Sequence, residues 1–429
     1  MVLSISATLP NYWKYVSEGG ASIVFSYCGP PSPDFDSTVL RLRKVPVDYQ
    51  PSLIAEPLVE EPDDPTIAFQ RQIIQKLIPI VHLPRLDSVE VNRGWLQELK
   101  DLSETERPAE RRAIDTIDLG RRKAVLATDL VGGPALAVEI KPKWGFLPSP
   151  AHLAPLTKPI KTMTCRFCMH SHLKATEGAE VSFGYCPLDL YSGDESRIRK
   201  ALNALWDSWI GSSGTVNNLR VFSQGTMVKP SLQPSSLAPL SIYFPTSVAE
   251  EPSLSMLQDA FVAALIPPLL KTPVLRILSK LQRSLDALDI EGLTMLWNSA
   301  HKSAAVQAAA DSSSVPIPSI GAGLAEPTLA DWRTFLDIYL AKHEQMDHDH
   351  PDAANVKYYC MAYILSASFK DCSIIIRLSQ DSPTTVTVID LDVKPVDRLR
   401  KWAMLDAQVV DAYRTASEPS RCDDRWATL

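Results

Sequence analysis

Hydrophobic and polar residues alternate with two different periods along this chain, and the change of period predicts where strands give way to helices. Apolar residues at every second position of "VLRLRK" and "AVEIK" indicate strands with one buried face. Apolar residues spaced three and four apart, as in "SRIRKALNALWDSWI" and "VDRLRKWAMLDAQVVDAY", are typical of helices. The pattern therefore predicts an α+β fold, strand-rich in its first third and helix-rich afterwards.

The same pattern predicts the connections between elements. Gly-Gly in "NYWKYVSEGGASIVFSYCG" separates two strands, "TIAFQRQIIQKLIPIV" is a helix, and prolines divide "LQDAFVAALIPPLLKTPVLRILSKLQRSLDALD" into two helices. "NVKYYCMAYILSASFKDCSIIIRL" predicts a helix, a loop and a strand. We expect a solvated loop at residues 51–65, an exposed charged segment at 101–123 and a partly mobile segment at 302–327.

Three predicted strand ends carry charges on one face and apolar residues on the other. A half-solvated sheet explains any one of them, but three together, two of which stop at Lys-Pro, favour a charged site. The charged residues are Arg41 and Arg43 in the first, Glu139, Lys141 and Lys143 in the second, and Asp390, Asp392 and Lys394 in the third.

Composition narrows the function classes. The 429 residues include 43 Lys and Arg against 50 Asp and Glu, a net charge of −7, so the surface as a whole does not attract nucleic acid or anionic membrane. Anions must then bind in a local basic pocket. The chain is long enough for two or three packed units, and no apolar run approaches the roughly 20 residues of a membrane span. The N-terminus lacks a signal-peptide design, so we expect an intracellular protein whose seven cysteines are reduced.

Two features are compatible with phosphate chemistry. The glycine turn in "SEGGASIVF" lets backbone N–H groups approach a phosphate, although an ordinary hairpin explains it equally well. No P-loop motif is present. Asp371 followed by Asp390 resembles the order of a hydroxyl-orienting and a magnesium-binding aspartate in kinase-like folds. On this segment alone, a loop or helix N-cap residue is the favoured interpretation of Asp371.

The segment "TCRFCMHSHLK" contains four metal-competent side chains, namely Cys165, Cys168, His170 and His172. One short helix cannot easily surround a tetrahedral ion with four ligands, and no second CxxC pair exists to complete a site. We therefore favour buried thiols over zinc here.

Eight motifs in one order resemble the inositol-pentakisphosphate 2-kinase family: "EGGASIVF" with "VLRLRK", "EIKPKWGFLP", "CRFCMHSHLK", "CPLDLYSG", "NNLRVF", "LDIEG", "KDCSI" and "DLDVKP". The resemblance implies a two-lobed fold distantly similar to protein kinases, with an N-terminal lobe at 1–130 and a larger C-terminal lobe at 131–429. It also implies ATP- and Mg²⁺-dependent phosphorylation of the 2-hydroxyl of inositol 1,3,4,5,6-pentakisphosphate, giving the hexakisphosphate (phytate).

The resemblance further implies roles for single residues. Asp371 would be the catalytic base or orienter, and Asp390 the magnesium ligand, with Asp392 as a second candidate. The residues expected to bind ATP are Gly19, Gly20, Ala21, Ser22, Arg41, Thr128, Asp129, Glu139, Lys141, Arg220 and Asp390. The residues expected to bind the inositol phosphate are Arg111, Lys143, Lys174, Asn217, Asn218, Lys394 and Arg398.

Some positions depart from the family pattern. No cysteine follows "LDIEG", where plant members bind zinc, so we expect no zinc. The hinge "ATDL" lacks the family's Asn and His, which favours backbone contacts to adenine. Pro46 stands where an arginine is expected, and Arg43 is the candidate to replace it.

We expect a monomer in the nucleus or cytoplasm, with a small-molecule substrate and no direct nucleic-acid or membrane partner. Two alternatives stay open: a catalytically silent inositol-phosphate-binding scaffold, and a kinase of the same fold for another inositol phosphate.

Overall fold

The computed structural model describes residues 3–49, 61–244, 253–301, 319–379, 383–417 and 419–427. The chain divides into two compact units. Unit 1 comprises Met1–Ala137, Val221–Met227 and Arg377–Thr387, and unit 2 comprises Val138–Arg220, Val228–Ile376 and Val388–Leu429. Most of the loop predicted at 51–65 and of the segment predicted at 302–327 lies outside the described residues.

The strands are concentrated in unit 1. In chain order they are β1 (Leu3–Ser4), β2 (Trp13–Glu18), β3 (Ser22–Tyr27), β4 (Thr38–Pro46), β5 (Leu86–Glu90), β6 (Asp115–Ile117), β7 (Lys123–Thr128), β8 (Leu136–Ile140), β9 (Leu219–Ser223), β10 (Thr226–Met227), β11 (Ser373–Leu378) and β12 (Thr385–Ile389).

Helices dominate unit 2. The α-helices are α1 (Pro65–Gln72), α2 (Arg93–Ser103), α3 (Ala109–Arg112), α4 (Lys158–Lys161), α5 (Arg166–Thr176), α6 (Pro187–Tyr191), α7 (Glu195–Gly211), α8 (Ala238–Ser241), α9 (Leu254–Lys271), α10 (Val274–Leu285), α11 (Asp289–Ala300), α12 (Leu329–Lys342), α13 (Val356–Asp371) and α14 (Arg398–Arg414). Short 3₁₀ turns lie at Ile5–Ala7, Pro10–Tyr12, Ile74–Lys76, Ile80–His82, Pro150–His152, Pro234–Leu237, His343–Gln345 and Ala353–Asn355. This mixture confirms the α+β prediction.

The sheet of unit 1 has the order β1-β5-β7-β4-β3-β2, with β6 paired to β4. β1 and β5 are parallel, and the other described pairs are antiparallel. Alternation along β4 buries Leu40 and Leu42, which are 0% and 3% exposed, and leaves Arg41 and Arg43 partly exposed, as the sequence predicts.

Both faces of this sheet are covered. One face packs Phe25, Leu40 and Leu126 against Trp95 and Leu96 of the amphipathic helix α2. On the other face, Val39, Val125 and Ala127 pack with Ile67 of α1 and with Leu86. Neighbouring residues of one strand therefore enter different cores, which fixes the register of the sheet.

A second sheet has the order β10-β9-β8-β11-β12. Every residue of β8 is buried, and α13, which precedes β11, is buried from Tyr358 to Lys370. Strong burial on all sides explains why α13 shows little amphipathic periodicity. It also fixes the position of the residues that follow the helix.

The helix predicted over "TIAFQRQIIQKLIPIV" ends earlier than its apolar spacing suggests, at Gln72, and continues as 3₁₀ turns. The two helices predicted around the prolines are α9 and α10. The break lies at Thr272 and Pro273, because Pro267 and Pro268 are accommodated within the last turns of α9.

One described helix, α9, is long and apolar enough to cross a membrane by length and composition alone. This is weak evidence, because core helices of soluble proteins pass the same test. Leu257, Phe261 and Leu265 of α9 are buried within the protein.

Candidate active site

Asp371 is the last residue of α13 and lies between two lysines. Its Oδ1 is 3.1 Å from Nζ of Lys143, and its Oδ2 is 3.0 Å from Nζ of Lys394. The side chain of Asp371 is 52% exposed, and those of Lys143 and Lys394 are 22% and 27% exposed. We call these three residues the Asp371 site. It carries one negative and two positive charges and is open to solvent.

The backbone leaves the regular strand conformation after β8, before Lys141 and Lys143, and after β12, before Asp392 and Lys394. β8 ends at Ile140 and β12 at Ile389, and Lys143 and Asp390 have φ values of 64° and 61°. The prediction that Glu139, Lys141 and Lys143 form one row on a strand is therefore wrong, because the strand ends before the lysines. The corresponding row from Asp390 to Lys394 is wrong for the same reason. Left-handed backbone at residues other than glycine costs of order 1 kcal/mol and is often found at functional sites.

The two lysines decide the ionisation of Asp371. Partial burial disfavours the charged carboxylate, but the positive charges of Lys143 and Lys394 outweigh it, so the pKa of Asp371 lies below its usual range. Asp371 is therefore a carboxylate near neutral pH, ready to accept a hydrogen bond from a hydroxyl group.

The pKa of the buried Cys372 thiol responds to the charges of four predicted site residues, which therefore lie near it. Burial is the main cause that raises the pKa of Cys372 to about 12, and the carboxylates of Asp390 and Asp371 contribute to the increase. The ammonium groups of Lys143 and Lys141 act in the opposite direction. Both predicted aspartates and both lysines of "EIKPK" therefore act on the same thiol.

Glu139 lies within unit 2 and is 7% exposed, so it is not on a solvated face as the alternation predicts. Ser373 Oγ donates a hydrogen bond of 2.8 Å to its Oε1, and Arg220 NH1 is 3.6 Å from its Oε2. The structure thus joins Glu139 and Arg220, two residues predicted to bind ATP.

Asn218 forms hydrogen bonds with the backbone of Lys141, the residue that follows β8. Lys141 N donates to Asn218 O at 3.0 Å, and the Asn218 amide donates to Lys141 O at 3.4 Å. Its side-chain oxygen accepts from Ser182 Oγ. Asn218 is buried and holds the backbone of Lys141, whereas Asn217 is exposed.

From the sequence, His170 on α5 is only a candidate metal ligand. Burial, together with the positive charges of Arg166, Lys174 and Lys143, lowers the pKa of His170 to about 4. His170 is therefore neutral near pH 7 and lies within the field of two predicted phosphate-binding lysines. Lys174 itself is exposed on α5.

Beside Asp371 in the chain, Lys370 is buried. Its Nζ lies 2.6 Å from Asp286 Oδ2 and 4.0 Å and 4.5 Å from the ring centroids of Trp144 and Tyr363. The ion pair and the aromatic rings satisfy this ammonium group inside the protein. This contact anchors the end of α13, and no sequence motif pointed to it.

The predicted glycine turn lies in unit 1 between β2 and β3. Gly19 N donates to Ser22 O at 3.0 Å, which closes the hairpin. A Cβ atom added to Gly19 or Gly20 would meet nothing within 4 Å, so the turn is open. Arg41 is in β4, where it pairs with Val24 on one side and Val125 on the other.

The residue that precedes this turn, Glu18, belongs to a largely buried ionic group. We call this group the Glu18 network, and its members are Glu18, Lys44, Arg107 and Asp115. Arg107 NH2 is 2.9 Å from Glu18 and 2.8 Å from Asp115, and Lys44 Nζ is 3.1 Å and 2.7 Å from the same two carboxylates. The prediction that residues 101–123 are exposed is wrong for Arg107, whose side chain is 1% exposed.

The predicted hinge residues make contacts within unit 1. The Asp129 carboxylate accepts hydrogen bonds from Val131 N at 3.0 Å, from Gly132 N at 2.7 Å and from the Ser26 hydroxyl. Asp129 thus stabilises its own turn. Thr128 Oγ1 accepts from Arg85 N at 3.0 Å.

Three predicted arginines differ in their surroundings. Arg111 on α3 and Arg398 at the start of α14 are exposed. Arg43, the candidate to replace an arginine at Pro46, forms a bidentate pair with Asp64 at 2.6 Å and 2.7 Å. A contact from Arg43 to a phosphate would have to compete with this pair.

Two sets of side chains have the chemistry to hold a metal. Asp390 is exposed and, within the described residues, its carboxylate has no hydrogen-bond or ion-pair partner, which suits a Mg²⁺ ion that also binds phosphates. Asp392 is nearby in the chain, and its carbonyl accepts from Ser368. The second set consists of Cys165, Cys168, Cys186 and Cys422, whose sulfur atoms lie within 4.8 Å of one another.

The family model of inositol-pentakisphosphate 2-kinase matches residues 15–408 of this chain. The chain belongs to the inositol-pentakisphosphate 2-kinase family. It is an enzyme, a transferase by class. The match covers nearly the whole chain and includes both the glycine turn and the Asp371 site.

Relatives from a fungus, a plant and a fish carry the same name and match this chain over different lengths. The inositol-pentakisphosphate 2-kinase of Cryptococcus neoformans var. neoformans serotype D is 35% identical over 94% of this chain and 93% of the relative. That of Arabidopsis thaliana is 27% identical over 94% of this chain and 93% of the relative. A Danio rerio relative of the same name is 33% identical over 51% of this chain and 44% of its own length.

Proposed function

We propose that this protein transfers the terminal phosphoryl group of ATP to the 2-hydroxyl of inositol 1,3,4,5,6-pentakisphosphate. Family membership supports the reaction class, and the Asp371 site supports the position of the acceptor hydroxyl. The single observation that carries the proposal is the solvent-accessible carboxylate of Asp371 between two lysines. The carboxylate can accept a hydrogen bond from the substrate hydroxyl, and the lysines can bind substrate phosphates.

Charge favours an anionic substrate at this site. The Asp371 site has one positive charge in excess, and Lys141, Lys174 and Arg398 lie in the same unit. A pentakisphosphate needs several cations, and each charge-assisted contact to a phosphate is about twice as strong as a neutral hydrogen bond. The lysines can exchange part of their contact with Asp371 for substrate phosphates.

Asp371 acts as an orienter more than as a strong base. Its lowered pKa leaves it a weak proton acceptor at pH 7, but a permanent hydrogen-bond acceptor. Phosphoryl transfer with a loose transition state needs an aligned hydroxyl more than early proton removal. We propose that Asp371 aligns the 2-hydroxyl and receives its proton as the new P–O bond forms.

Asp390 suits the role of magnesium ligand, with Asp392 as a second candidate. When bound, Mg²⁺ neutralises the developing charge on the phosphates of ATP. Glu139, Lys141 and Arg220 are proposed to contact the nucleotide, and their arrangement in unit 2 supports this. The glycine turn, Arg41, Thr128 and Asp129 are also proposed to bind the nucleotide.

The test is a panel of inositol phosphates incubated with the purified protein, ATP and Mg²⁺, with products identified by NMR spectroscopy. We expect conversion of the 1,3,4,5,6-pentakisphosphate to the hexakisphosphate, and little turnover of isomers with an already phosphorylated 2-position. Faster conversion of a different inositol phosphate would redirect the proposal to that substrate, and binding without any turnover would contradict it.

A further inference from the structure

Four cysteines from three separate parts of unit 2 meet at one point. Cys165 and Cys168 lie at the start of α5, Cys186 directly precedes α6, and Cys422 belongs to the segment after α14. The sulfur atoms of Cys165 and Cys186 are 3.9 Å apart, and those of Cys168 and Cys422 are 3.8 Å apart. All four lie within 4.8 Å of one another.

We propose that Cys165, Cys168, Cys186 and Cys422 bind one structural Zn²⁺ ion as a tetrahedral four-thiolate site. Zn–S bonds of about 2.3 Å in a tetrahedron place the sulfurs about 3.8 Å apart. Both measured distances match that spacing, whereas a disulfide requires about 2.05 Å. No other ligand type is needed to complete the four positions.

Helix α5 positions two of the four sulfur atoms. Cys165 is the N-cap of the eleven-residue helix α5, and its sulfur accepts a hydrogen bond of 3.4 Å from Cys168 N. This contact holds the sulfur of Cys165 beside the first turn of α5, which carries Cys168. Cys165 is fully buried, so the ion would be shielded from solvent on that side.

This proposal revises two expectations: no zinc, which followed from the lack of cysteines after "LDIEG", and buried thiols in "TCRFCMHSHLK". The second rested on the geometry of one short helix and on the lack of a second CxxC pair. The structure supplies the missing ligands as two single cysteines, 18 and 254 residues from Cys168 in sequence. It leaves His170 and His172 out of the set.

The ion would fasten the C-terminal segment to the helix that carries His170 and Lys174. That segment also pairs through Cys422 N with Met163 O at 2.8 Å and through Asp424 with Leu147 N at 3.1 Å. Arg283 holds Asp424 at 2.6 Å. The proposed role is therefore structural, and it is independent of the proposed kinase reaction.

The test begins with elemental analysis of the full chain, purified without chelators and dialysed. We expect about one zinc per chain. Cys186→Ser and Cys422→Ser should each lower retained zinc at least tenfold, while Cys28→Ser and Cys360→Ser, which alter cysteines outside the cluster, should retain it. Zinc at less than a tenth per chain with seven titratable thiols, or stoichiometric iron in its place, would overturn the proposal.

Two further measurements do not depend on the folding of a variant. Wild-type protein stripped of zinc and reloaded with Co²⁺ should show intense thiolate-to-metal charge-transfer absorption, and its absence would count against four sulfur ligands. Peptide mapping without reduction should find no Cys165–Cys186 or Cys168–Cys422 disulfide. Finding those links in the freshly isolated protein would replace the metal with a pair of disulfides.

Discussion

Two ionic groups in this protein have similar composition and different surroundings. The Glu18 network and the Asp371 site each place a carboxylate between two cations at about 3 Å. Asp115 neutralises the first group, and the side chains of Glu18, Lys44 and Arg107 are at most 2% exposed. The second group keeps a net positive charge, and its carboxylate is 52% exposed. Exposure and excess charge therefore distinguish the group that we propose to be reactive from the one that we propose to be structural.

Removing the negative charge of Asp371 should have the largest effect on catalysis. Asp371→Asn should lower kcat about 10²–10⁴-fold, because the amide cannot receive the hydroxyl proton. Binding of the pentakisphosphate should persist or tighten, since both lysines lose their internal counter-ion. Steady-state kinetics and calorimetric titration check these effects. A variant with wild-type kcat would remove Asp371 from the reaction.

A change in the Glu18 network should affect stability instead. Arg107→Met leaves the buried carboxylate of Glu18 and the partly buried carboxylate of Asp115 opposite one lysine, and we expect a loss of about 3–5 kcal/mol in the free energy of unfolding. Urea denaturation measures it. Arg93→Met, at an exposed position on α2, is the matched control and should stay within about 0.5 kcal/mol of wild type. Equal losses in both variants would contradict the structural role of the network.

The lysines near Asp371 are proposed to bind two different ligands, the pentakisphosphate and ATP. Lys143→Ala and Lys394→Ala should each raise KM for the pentakisphosphate about 10–100-fold, the effect of one charge-assisted contact. Lys141→Ala should instead raise KM for ATP. Lys401→Ala, which removes only an exposed pair with Asp397, is the control. If Lys141→Ala changed KM for the inositol phosphate alone, the assignment to ATP would be wrong.

The smallest expected effect is the change with acid pH in the stability that Glu18 contributes. Burial disfavours the charged form of Glu18, but hydrogen bonds from Arg107 and Lys44 hold its pKa below the usual range. A carboxylate with a lowered folded-state pKa contributes stability above its unfolded pKa of about 4.3, and loses it as the pH falls through the folded value. The melting-temperature difference between wild type and Glu18→Gln should therefore be constant from pH 7 to 5 and shrink below about pH 4. A difference that grows on acidification would reverse the sign and contradict this origin.

Local patterns predicted those features that depend on neighbouring residues in the chain. Alternation in β4 identified the buried leucines and the two arginines, and apolar spacing identified α7 and α14. The order of short motifs selected Asp371, and the structure places Lys143 and Lys394 beside it.

Features that depend on contacts between residues far apart in the chain were not predicted from the sequence. Arg107 lies in a charged segment and gives no local sign of being buried under a hairpin 89 residues away. Cys422 is a single cysteine, and only folding brings it to Cys168. Two of the three predicted rows of charges were wrong, because β8 ends at Ile140 and β12 at Ile389. The backbone beyond these strands is left-handed at Lys143 and Asp390, and no glycine marks either position.

The most direct test measures single-turnover phosphoryl transfer and melting temperature on Asp371→Asn and Arg107→Met in parallel. If the exposed group carries the chemistry and the buried group carries stability, Asp371→Asn will melt close to wild type and transfer phosphate at least 10²-fold more slowly. Arg107→Met will melt earlier, and its folded fraction will react at close to the wild-type rate. Normal transfer by Asp371→Asn, with a lowered melting temperature, would contradict the account.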